Sequence, residues 1–271
     1  MRSRERTGYR WCPSPKLIRP YFQWVSNPAL TSLKGPEVTL GRRFGFGERQ
    51  TADRMSSETR DEKRKVTERL NAVASYVTLS SVVYYATAIG LLHVLRTDFN
   101  PGYRYLSEYA VGPYGALMTS TFFALSAGSL ALSFGLWRSV SSISRFLPGL
   151  FLWLTWTCAV FFAGIYTGDL QGGPRTRIGQ IHDQMGMIAF PSATLAVPLL
   201  SLALRFEKRW RSVWRSTIFL SVTVVVCFLA LDRFGQMGLG GLDQRLFLAT
   251  TLIWMWVLGR KILLIAKLAR Y

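Results

Sequence analysis

The chain has 271 residues, of which 49% are apolar, and it carries a formal net charge of +18. The apolar residues gather into blocks of about twenty, the length that an α-helix needs to cross a hydrocarbon core of ~30 Å. A soluble domain would instead show amphipathic stripes with a charged opposite face. Most Lys and Arg residues lie near the amino terminus or beside the apolar blocks, so the charge indicates membrane topology and not nucleic-acid binding.

Residues 1–60 differ in composition from the rest and are predicted to form a disordered basic leader. They are rich in Arg, Pro and Gly, and Asn27-Pro28 is a turn signal. They contain neither the apolar h-region nor the small-residue cleavage site of a secretory signal peptide. A targeting arm is one alternative. Another is that translation begins at Met55, because the charged run after it resembles an ordinary cytosolic amino terminus.

Residues 61–271 are predicted to form a domain of six transmembrane helices. The clean apolar stretch of the last helix is too short alone, so Arg260 and Lys261 must extend towards the headgroup region while the helix continues. The fold class is therefore all-α, a polytopic membrane protein with a six-helix bundle. The predicted spans are 72–95, 113–136, 147–167, 181–204, 213–231 and 245–266.

The orientation follows from the loops. Lys and Arg residues are more frequent in the loops that share a side with the amino terminus, which predicts a multi-pass plasma-membrane protein with both termini in the cytoplasm. The acidic residues show the opposite distribution. Beyond residue 70, Glu207 lies on the inner side, and both histidines, His93 and His182, fall on the outer side. The outer acids are Asp98, Glu108, Asp169, Asp183, Asp232 and Asp243.

The first outer loop mixes charged residues with tyrosines. Asn100 followed by Pro101 is typical of a helix start, with Asn as the N-cap and Pro at the first position. Tyrosine beside charge favours a short helix lying in the membrane interface. The loop is either an interfacial cap with internally paired charges or part of a ligand site. Its candidate ligand-binding residues are Asp98, Arg104, Ser107, Glu108 and Tyr109.

The fourth span is predicted to begin near His182 and Asp183, where free N–H groups and the helix dipole favour a carboxylate. A histidine there serves either as a proton carrier or metal ligand, or only as a hydrogen-bonded residue. Pro191 and Pro198 lie lower in the same helix and indicate either packing or a hydrated recess beneath the histidine. Further candidates at the outer face are Asp169, Asp232, Gln244 and Arg245.

The sequence contains no HExxH, GxSxG or P-loop motif. Its three cysteines show neither a disulfide framework nor a metal-binding spacing. We therefore expect no cofactor and no metal site from sequence motifs, and the catalytic residues of any enzyme activity cannot be assigned.

Three short motifs together are similar to one family. They are the segment 96–115 with its Ser107-Glu108-Tyr109 and Gly112-Pro113-Tyr114-Gly115, then His182-Asp183-Gln184-Met185-Gly186, and finally Gly241-Leu242-Asp243-Gln244-Arg245. They resemble a prokaryotic six-span membrane family catalogued as domain of unknown function 998, over roughly residues 70–266. The resemblance implies a six-helix plasma-membrane protein with polar motifs at one face. It implies no activity, cofactor or ligand.

The leading functional hypothesis is a non-enzymatic membrane protein whose outer-face cluster binds a lipid headgroup, a small polar ligand or a partner protein. One alternative is a membrane-embedded hydrolase or lipid-modifying enzyme that uses the outer His and Asp residues. The other is a small transporter, which the lack of a clear mid-membrane charge or inverted repeat disfavours. We expect the chain to lie in the lipid bilayer and not to bind nucleic acid, and the sequence does not indicate its oligomeric state.

If the side chains of the outer-face cluster meet, we expect one paired network of Asp98, Arg104, Glu108, His182, Asp183 and Arg245.

Overall fold

The structure, a computed structural model, describes the backbone of residues 45–268 and the side chains of residues 58–60 and 62–268. The described residues from Gln50 onward form one unit by their contacts, and every contact discussed below lies within it. Three short 3-10 helices lie in the connections, at Leu106–Ala110, Ile143–Arg145 and Lys208–Trp210. The long α-helices between residues 45 and 268 are α1 (Gly45–Leu95), α2 (Gly115–Ser139), α3 (Leu147–Ile165), α4 (Arg177–Leu204), α5 (Trp214–Gln236) and α6 (Gly240–Leu268).

Each of these helices contains a stretch that is long and apolar enough to cross a membrane, which in α1 is Glu58–Leu95. This confirms the predicted all-α fold with six spans. The helix α1 begins at Gly45, inside the stretch assigned to the leader, because residues 45–60 contain no proline and many good helix formers. Residues 1–44 lie outside the described part of the chain, so their predicted disorder and the alternative start at Met55 stay predictions.

The helices pack in a ring of neighbours. The helix α3 lies between α2 and α4, α5 lies between α4 and α6, and α6 returns to α2. The helix α1 lies against α2 and α6 through small residues. The Thr78 hydroxyl donates to the carbonyl of Gly128 at 3.2 Å, and a Cβ on Gly128 would overlap Ser81. Gly259 on α6 likewise approaches Thr78. Small residues allow such close contact between membrane helices.

Three tryptophans form the centre of the bundle. Trp153, Trp156 and Trp254 are at most 2% exposed, and the rings of Trp153 and Trp254 lie 5.0 Å apart. A buried indole N–H needs a hydrogen-bond acceptor. Here the N–H groups donate to the carbonyl of Ser129, the hydroxyl of Ser129 and the hydroxyl of Ser201, respectively. Serines inside these apolar helices thus supply the hydrogen-bond acceptors that the buried indole N–H groups need.

The two ends of the bundle differ. At one end, which we call the capped end, α1, α3 and α5 finish and α2, α4 and α6 begin. Two connections at this end, 96–114 and 166–176, together form what we call the cap. The opposite end, the basic end, carries the Lys and Arg excess in and around connections 140–146 and 205–213. All of the predicted outer acids lie at the capped end. The orientation of these two ends in the membrane stays a prediction made from the sequence.

Candidate functional site

The first connection of the cap does not form the predicted helix at Asn100. The carbonyl of Asn100 accepts hydrogen bonds from the N–H groups of Tyr103 and Arg104, at 3.2 and 2.9 Å. Its side-chain oxygen accepts from the N–H of Gly102 at 2.9 Å, which closes an Asx turn. Asn-Pro begins turns as readily as helices, and Gly102 favours the turn. The helical part is the single 3-10 turn Leu106–Ala110.

Glu108 ties the two connections of the cap together. Its side chain is 3% exposed, and one carboxylate oxygen accepts from the N–H of Tyr105 at 2.9 Å. The other oxygen accepts from the N–H of Gln171 at 3.0 Å and from Arg104 at 2.7 Å. The same nitrogen of Arg104 also donates to the Gln171 carbonyl at 3.0 Å. The buried carboxylate is thus fully engaged by charge-assisted hydrogen bonds that fix the cap.

The cap docks on the first turns of α6. The side-chain oxygen of Gln244 accepts from the N–H of Leu106 at 2.6 Å. Arg245 donates to the carbonyls of Arg104 and Gly241, at 2.7 and 2.8 Å. A Cβ on Gly241 would overlap the Arg104 carbonyl, so only glycine permits this approach. The first connection is therefore held against α6 by backbone-directed hydrogen bonds.

Arg96 forms a second anchor of the cap. Its guanidinium donates to both carboxylate oxygens of Asp98 at 2.9 Å and to the carbonyl of Val111 at 2.8 Å. It also lies 3.8 Å from the ring centroid of Phe99. The hydrogen bond from Arg96 holds the pKa of Asp98 below its ordinary value. The Arg96 side chain is 6% exposed and that of Asp98 is 61% exposed, so Asp98 covers a buried cation at the surface.

The fourth helix begins earlier than predicted. Its N-cap is Thr176, and α4 starts at Arg177, so the prediction that His182 and Asp183 lie at the helix terminus is wrong. The carboxylate of Asp169 accepts from both the N–H and the hydroxyl of Thr176, at 2.6 and 2.8 Å. A threonine N-cap with a carboxylate beside it satisfies the free N–H groups of the first turn. The two predicted residues consequently lie in the second turn of α4.

His182 is 8% exposed and has a defined tautomer when neutral. Its Nδ1 lies 2.7 Å from the carbonyl oxygen of Tyr166 and 3.1 Å from that of Ala163. Carbonyl oxygens only accept hydrogen bonds, so Nδ1 carries the proton. Nε2 is then an acceptor, and it has no hydrogen-bond partner in the described part of the chain.

A cleft of about 380 Å³ lies beside His182, where α4, α5, α6 and the cap meet. Its polar end is formed by Tyr105, Ser107, His182, Asp183 and Gln244. Its apolar walls are formed by Gly186, Met187, Phe190, Pro191, Phe228 and Leu231. A smaller cavity of about 50 Å³ shares several of these lining residues with the cleft, His182 among them. The space predicted beneath this histidine therefore exists, and its hydration stays a prediction.

The predicted site residues do not form one paired network. The cap is held together by Arg104, Glu108, Tyr109, Gln244 and Arg245, while the cleft brings together Ser107, His182, Asp183 and Gln244. Three candidates lie apart from the cleft: Asp98 covers Arg96, Asp169 caps α4, and Asp232 accepts from Gln236 at 2.8 Å. The condition for one paired network is therefore not met, because Asp98, Glu108 and His182 each have separate partners. The reason is that each acid has its own local partner.

Four residues at the capped end were not among the predicted site residues. Tyr105 lines the cleft, and burial together with the negative charges of Glu108 and Asp243 raises the pKa of its hydroxyl. His93 and Arg96 hold the cap, and their i, i+3 spacing at the end of α1 could have indicated a shared face. Asp243 is 2% exposed, and its Oδ2 has no hydrogen-bond partner among the side chains and backbone described. No sequence signal marks that last feature.

No group of three or more His, Cys, Asp or Glu side chains within the described residues is arranged to hold a metal ion. His93 already uses both of its ring nitrogens, which face the Ile89 carbonyl and Arg245. These side chains give no support to the metal-dependent form of the hydrolase alternative.

Comparison with models of known protein families gives a match. A model of the family described as "Protein of unknown function (DUF998)" matches residues 78–261, which is more than half of the chain. The matched region begins inside α1 and ends inside α6, so it includes the cap and the cleft. No curated protein and no solved structure matches the chain.

Proposed function

The chain belongs to the DUF998 family of proteins of unknown function, and we propose that it binds an amphipathic lipid in the cleft beside His182. The polar head lies against Ser107 and His182, and the apolar part lies against Phe190 and Phe228. One observation carries this proposal. Ser107 and His182, whose hydroxyl and Nε2 form no hydrogen bond with the residues described, line one end of a cleft whose other walls are apolar.

The cleft has the dimensions and chemistry of a small-molecule site. Its volume of about 380 Å³ lies within the range of roughly 300–1,000 Å³ found for ligand pockets. Nε2 of His182 accepts hydrogen bonds, and so does the carboxylate of Asp183. The Ser107 hydroxyl also forms no hydrogen bond with any residue described here. Because Nε2 of His182 and the Asp183 carboxylate can only accept, the cleft favours a head that donates hydrogen bonds, such as a hydroxyl or an ammonium group.

The rim of the cleft changes from polar to apolar along α4. Asp183 and Met187 are one turn apart on the same face of this helix. The Asp183 side chain is 55% exposed, and Met187 is 77% exposed. Proceeding away from the cap, the exposed surface therefore changes from a carboxylate to an apolar chain. This order matches that of a lipid, with its head at the membrane surface and its chains in the hydrocarbon.

Binding is favoured over the two alternatives. Ser107 and His182 line the same cleft, but no hydrogen bond joins them. An activated serine nucleophile is expected within about 2.6–3.2 Å of its base, so hydrolysis has weaker support than binding. In α2 to α6, charged residues lie towards the helix ends, and those furthest from an end, Arg260 and Lys261, lie in the C-terminal third of α6. Ion pathways through membrane domains are usually marked by central charges, so transport also has weaker support.

The proposal includes a location. We place the capped end and its cleft on the outer side of the plasma membrane, with both termini in the cytoplasm. The support is the Lys and Arg excess at the basic end, which the positive-inside rule associates with the cytoplasmic side.

Gly186 allows a direct test, because it lines the cleft and a Cβ there would meet no atom within 4 Å. Gly186→Leu should fill the cleft without a backbone clash. Gly90 on α1 is equally open but lines none of the cavities described, so Gly90→Leu is the matched control. We expect diacylglycerol and phosphatidylethanolamine to raise the Tm of the purified wild type and of Gly90→Leu, and not that of Gly186→Leu.

Phosphatidylcholine is the control ligand, since its head has no hydrogen-bond donor. An equal rise in Tm with phosphatidylcholine would contradict recognition of the head, and a rise that survives in Gly186→Leu would place the site elsewhere. Release of the head from either lipid during the incubation would show the enzyme alternative to be correct.

A further inference from the structure

A second cleft, separate from the one above, lies at the basic end of the bundle. It has a volume of about 250 Å³ and is lined by Arg209, Lys261, Ile265 and Leu268. Arg209 belongs to the 3-10 turn between α4 and α5, whereas the other three residues lie on the last turns of α6. Their spacing of four and three places them on one face of that helix. Two cations thus lie beside two aliphatic side chains in what we call the basic cleft.

The charges of the basic cleft are not neutralised by acidic side chains of the described residues. The ammonium of Lys261 donates to the hydroxyl of Ser212 at 2.9 Å, and Arg209 forms neither a hydrogen bond nor an ion pair there. The nearby acid, Glu207, is only 4% exposed. Its carboxylate accepts from the N–H groups of Ser141 and Ser142, at 3.1 and 3.4 Å. That carboxylate is therefore engaged by the connection between α2 and α3.

The turn that carries Arg209 is held in place. Its neighbour Trp210 is fully buried, and the backbone N–H of Trp210 donates to the carbonyl of Glu207 at 2.9 Å. Arg209 itself is exposed. A fixed backbone with an exposed guanidinium presents a planar donor group that matches the geometry of a phosphate.

We propose that the basic cleft binds an anionic phospholipid. Arg209 and Lys261 contact the phosphate group, and an acyl chain lies along Ile265 and the exposed Leu268, which is 73% accessible. Basic pockets between membrane helices are known to bind the heads of anionic lipids. A free phosphate ion would use only the cations, whereas a phospholipid uses both halves of the cleft. This site is independent of the ligand proposed for the first cleft.

The test compares two double variants with the same change in net charge. Arg209→Gln with Lys261→Gln removes both cations of the cleft, while Arg205→Gln with Arg260→Gln removes two exposed cations at the same end but outside it. The purified proteins are mixed with labelled phosphatidylglycerol in phosphatidylcholine nanodiscs, and the binding constant is measured. We expect about tenfold weaker binding for the first variant and less than about twofold for the second.

Equal weakening in both double variants would show general surface attraction and overturn the proposal. Competition by inorganic phosphate at millimolar concentration, with no effect of Leu268→Ser, would assign the site to free phosphate and also overturn it. If the first double variant fails to fold, Arg209→Gln is compared with Arg205→Gln, because the Arg209 side chain has no hydrogen bond or ion pair to lose. Gly186→Leu should bind phosphatidylglycerol normally, so the failure of one proposal is distinguishable from the failure of the other.

Discussion

The Nε of Arg245 donates a 2.9 Å hydrogen bond to Nε2 of His93, and this contact joins the start of α6 to the end of α1. The side chain of arginine has only donors, so Nε2 of His93 accepts this hydrogen bond and carries no proton. Its Nδ1 therefore carries the proton and donates to the Ile89 carbonyl at 2.6 Å. The guanidinium also donates to the Arg104 carbonyl in the cap and lies 5.6 Å from the ring centroid of the buried Tyr109. One side chain thus connects α1, the cap and α6.

The first prediction follows from that contact. Gln can place an acceptor near the position of Nε2, whereas Leu fills the space without one and leaves Nε of Arg245 unpaired. His93→Leu should therefore lower the free energy of unfolding by about 1–3 kcal/mol relative to His93→Gln. Denaturation of the two purified variants in detergent measures the difference. Equal stability of the two would show that the imidazole only fills space.

Glu108 gives the second prediction. Glu108→Gln keeps the shape but leaves Arg104 without its carboxylate and places an NH₂ group near backbone donors. Breaking a buried ion pair in this way costs on the order of 3 kcal/mol. Asp183→Asn is the control, because its 3.7 Å contact with Arg175 is exposed, and surface pairs contribute about 0–1 kcal/mol. Comparable unfolding midpoints for both variants would contradict the role of Glu108 in holding the cap.

The helices could be predicted from the sequence and the contacts of the cap could not. A membrane span is local information, since a block of apolar residues between charged ends is enough to place α2, α3 and α5 within a few residues. The partner of Glu108 at the Gln171 N–H is 63 residues away, and that of Leu106 at Gln244 is 138 residues away. Neither contact leaves a pattern in one sequence.

Errors at the site have specific causes. The predicted start of α4 leaves out Thr176, the residue that caps the helix, and so places His182 one turn too near the terminus. Asn100-Pro101 predicts a helix start, but the following Gly102 favours the turn that the chain forms. The grouping of acids at one end was correct, but it did not indicate that Asp98 and Asp169 are each engaged by a residue of their own connection.

Glycine substitutions give the third prediction. A Cβ on Gly241 would overlap backbone atoms of Pro101 and Arg104, so Gly241→Ala should displace the cap from α6 and destabilise the protein. Gly90→Ala meets no atom, and in a helix it should stabilise by up to about 1 kcal/mol because alanine loses less backbone entropy. Thermal unfolding of the two variants should therefore shift in opposite directions. A shift of the same sign in both would contradict the close docking of the cap.

The fourth prediction concerns pH. The pKa of Asp98 is lowered in the folded protein by the hydrogen bond from Arg96. The stability that this pair contributes is therefore fully present above the ordinary carboxyl pKa of about 4 and is lost as the pH falls through the lower folded value. Asp98→Asn removes this dependence. The difference in Tm between wild type and Asp98→Asn should be constant from pH 7 to about 5 and shrink below about 4. A difference unchanged at low pH would show that the carboxylate charge does not matter.

The last prediction tests the orientation of the bundle. Met237 lies at the capped end and is 71% exposed, and Ser141 lies at the basic end and is also exposed. Single cysteines at these positions, in a chain whose Cys12, Cys158 and Cys227 are replaced, should both be chemically accessible.

The positive-inside rule places the basic end in the cytoplasm. A membrane-impermeant maleimide should therefore label Met237→Cys in intact cells, and Ser141→Cys only after permeabilisation. Because both positions are exposed, a missing signal reports the membrane barrier and not burial. The reverse pattern would place the cap and its cleft in the cytoplasm, with every contact described above unchanged.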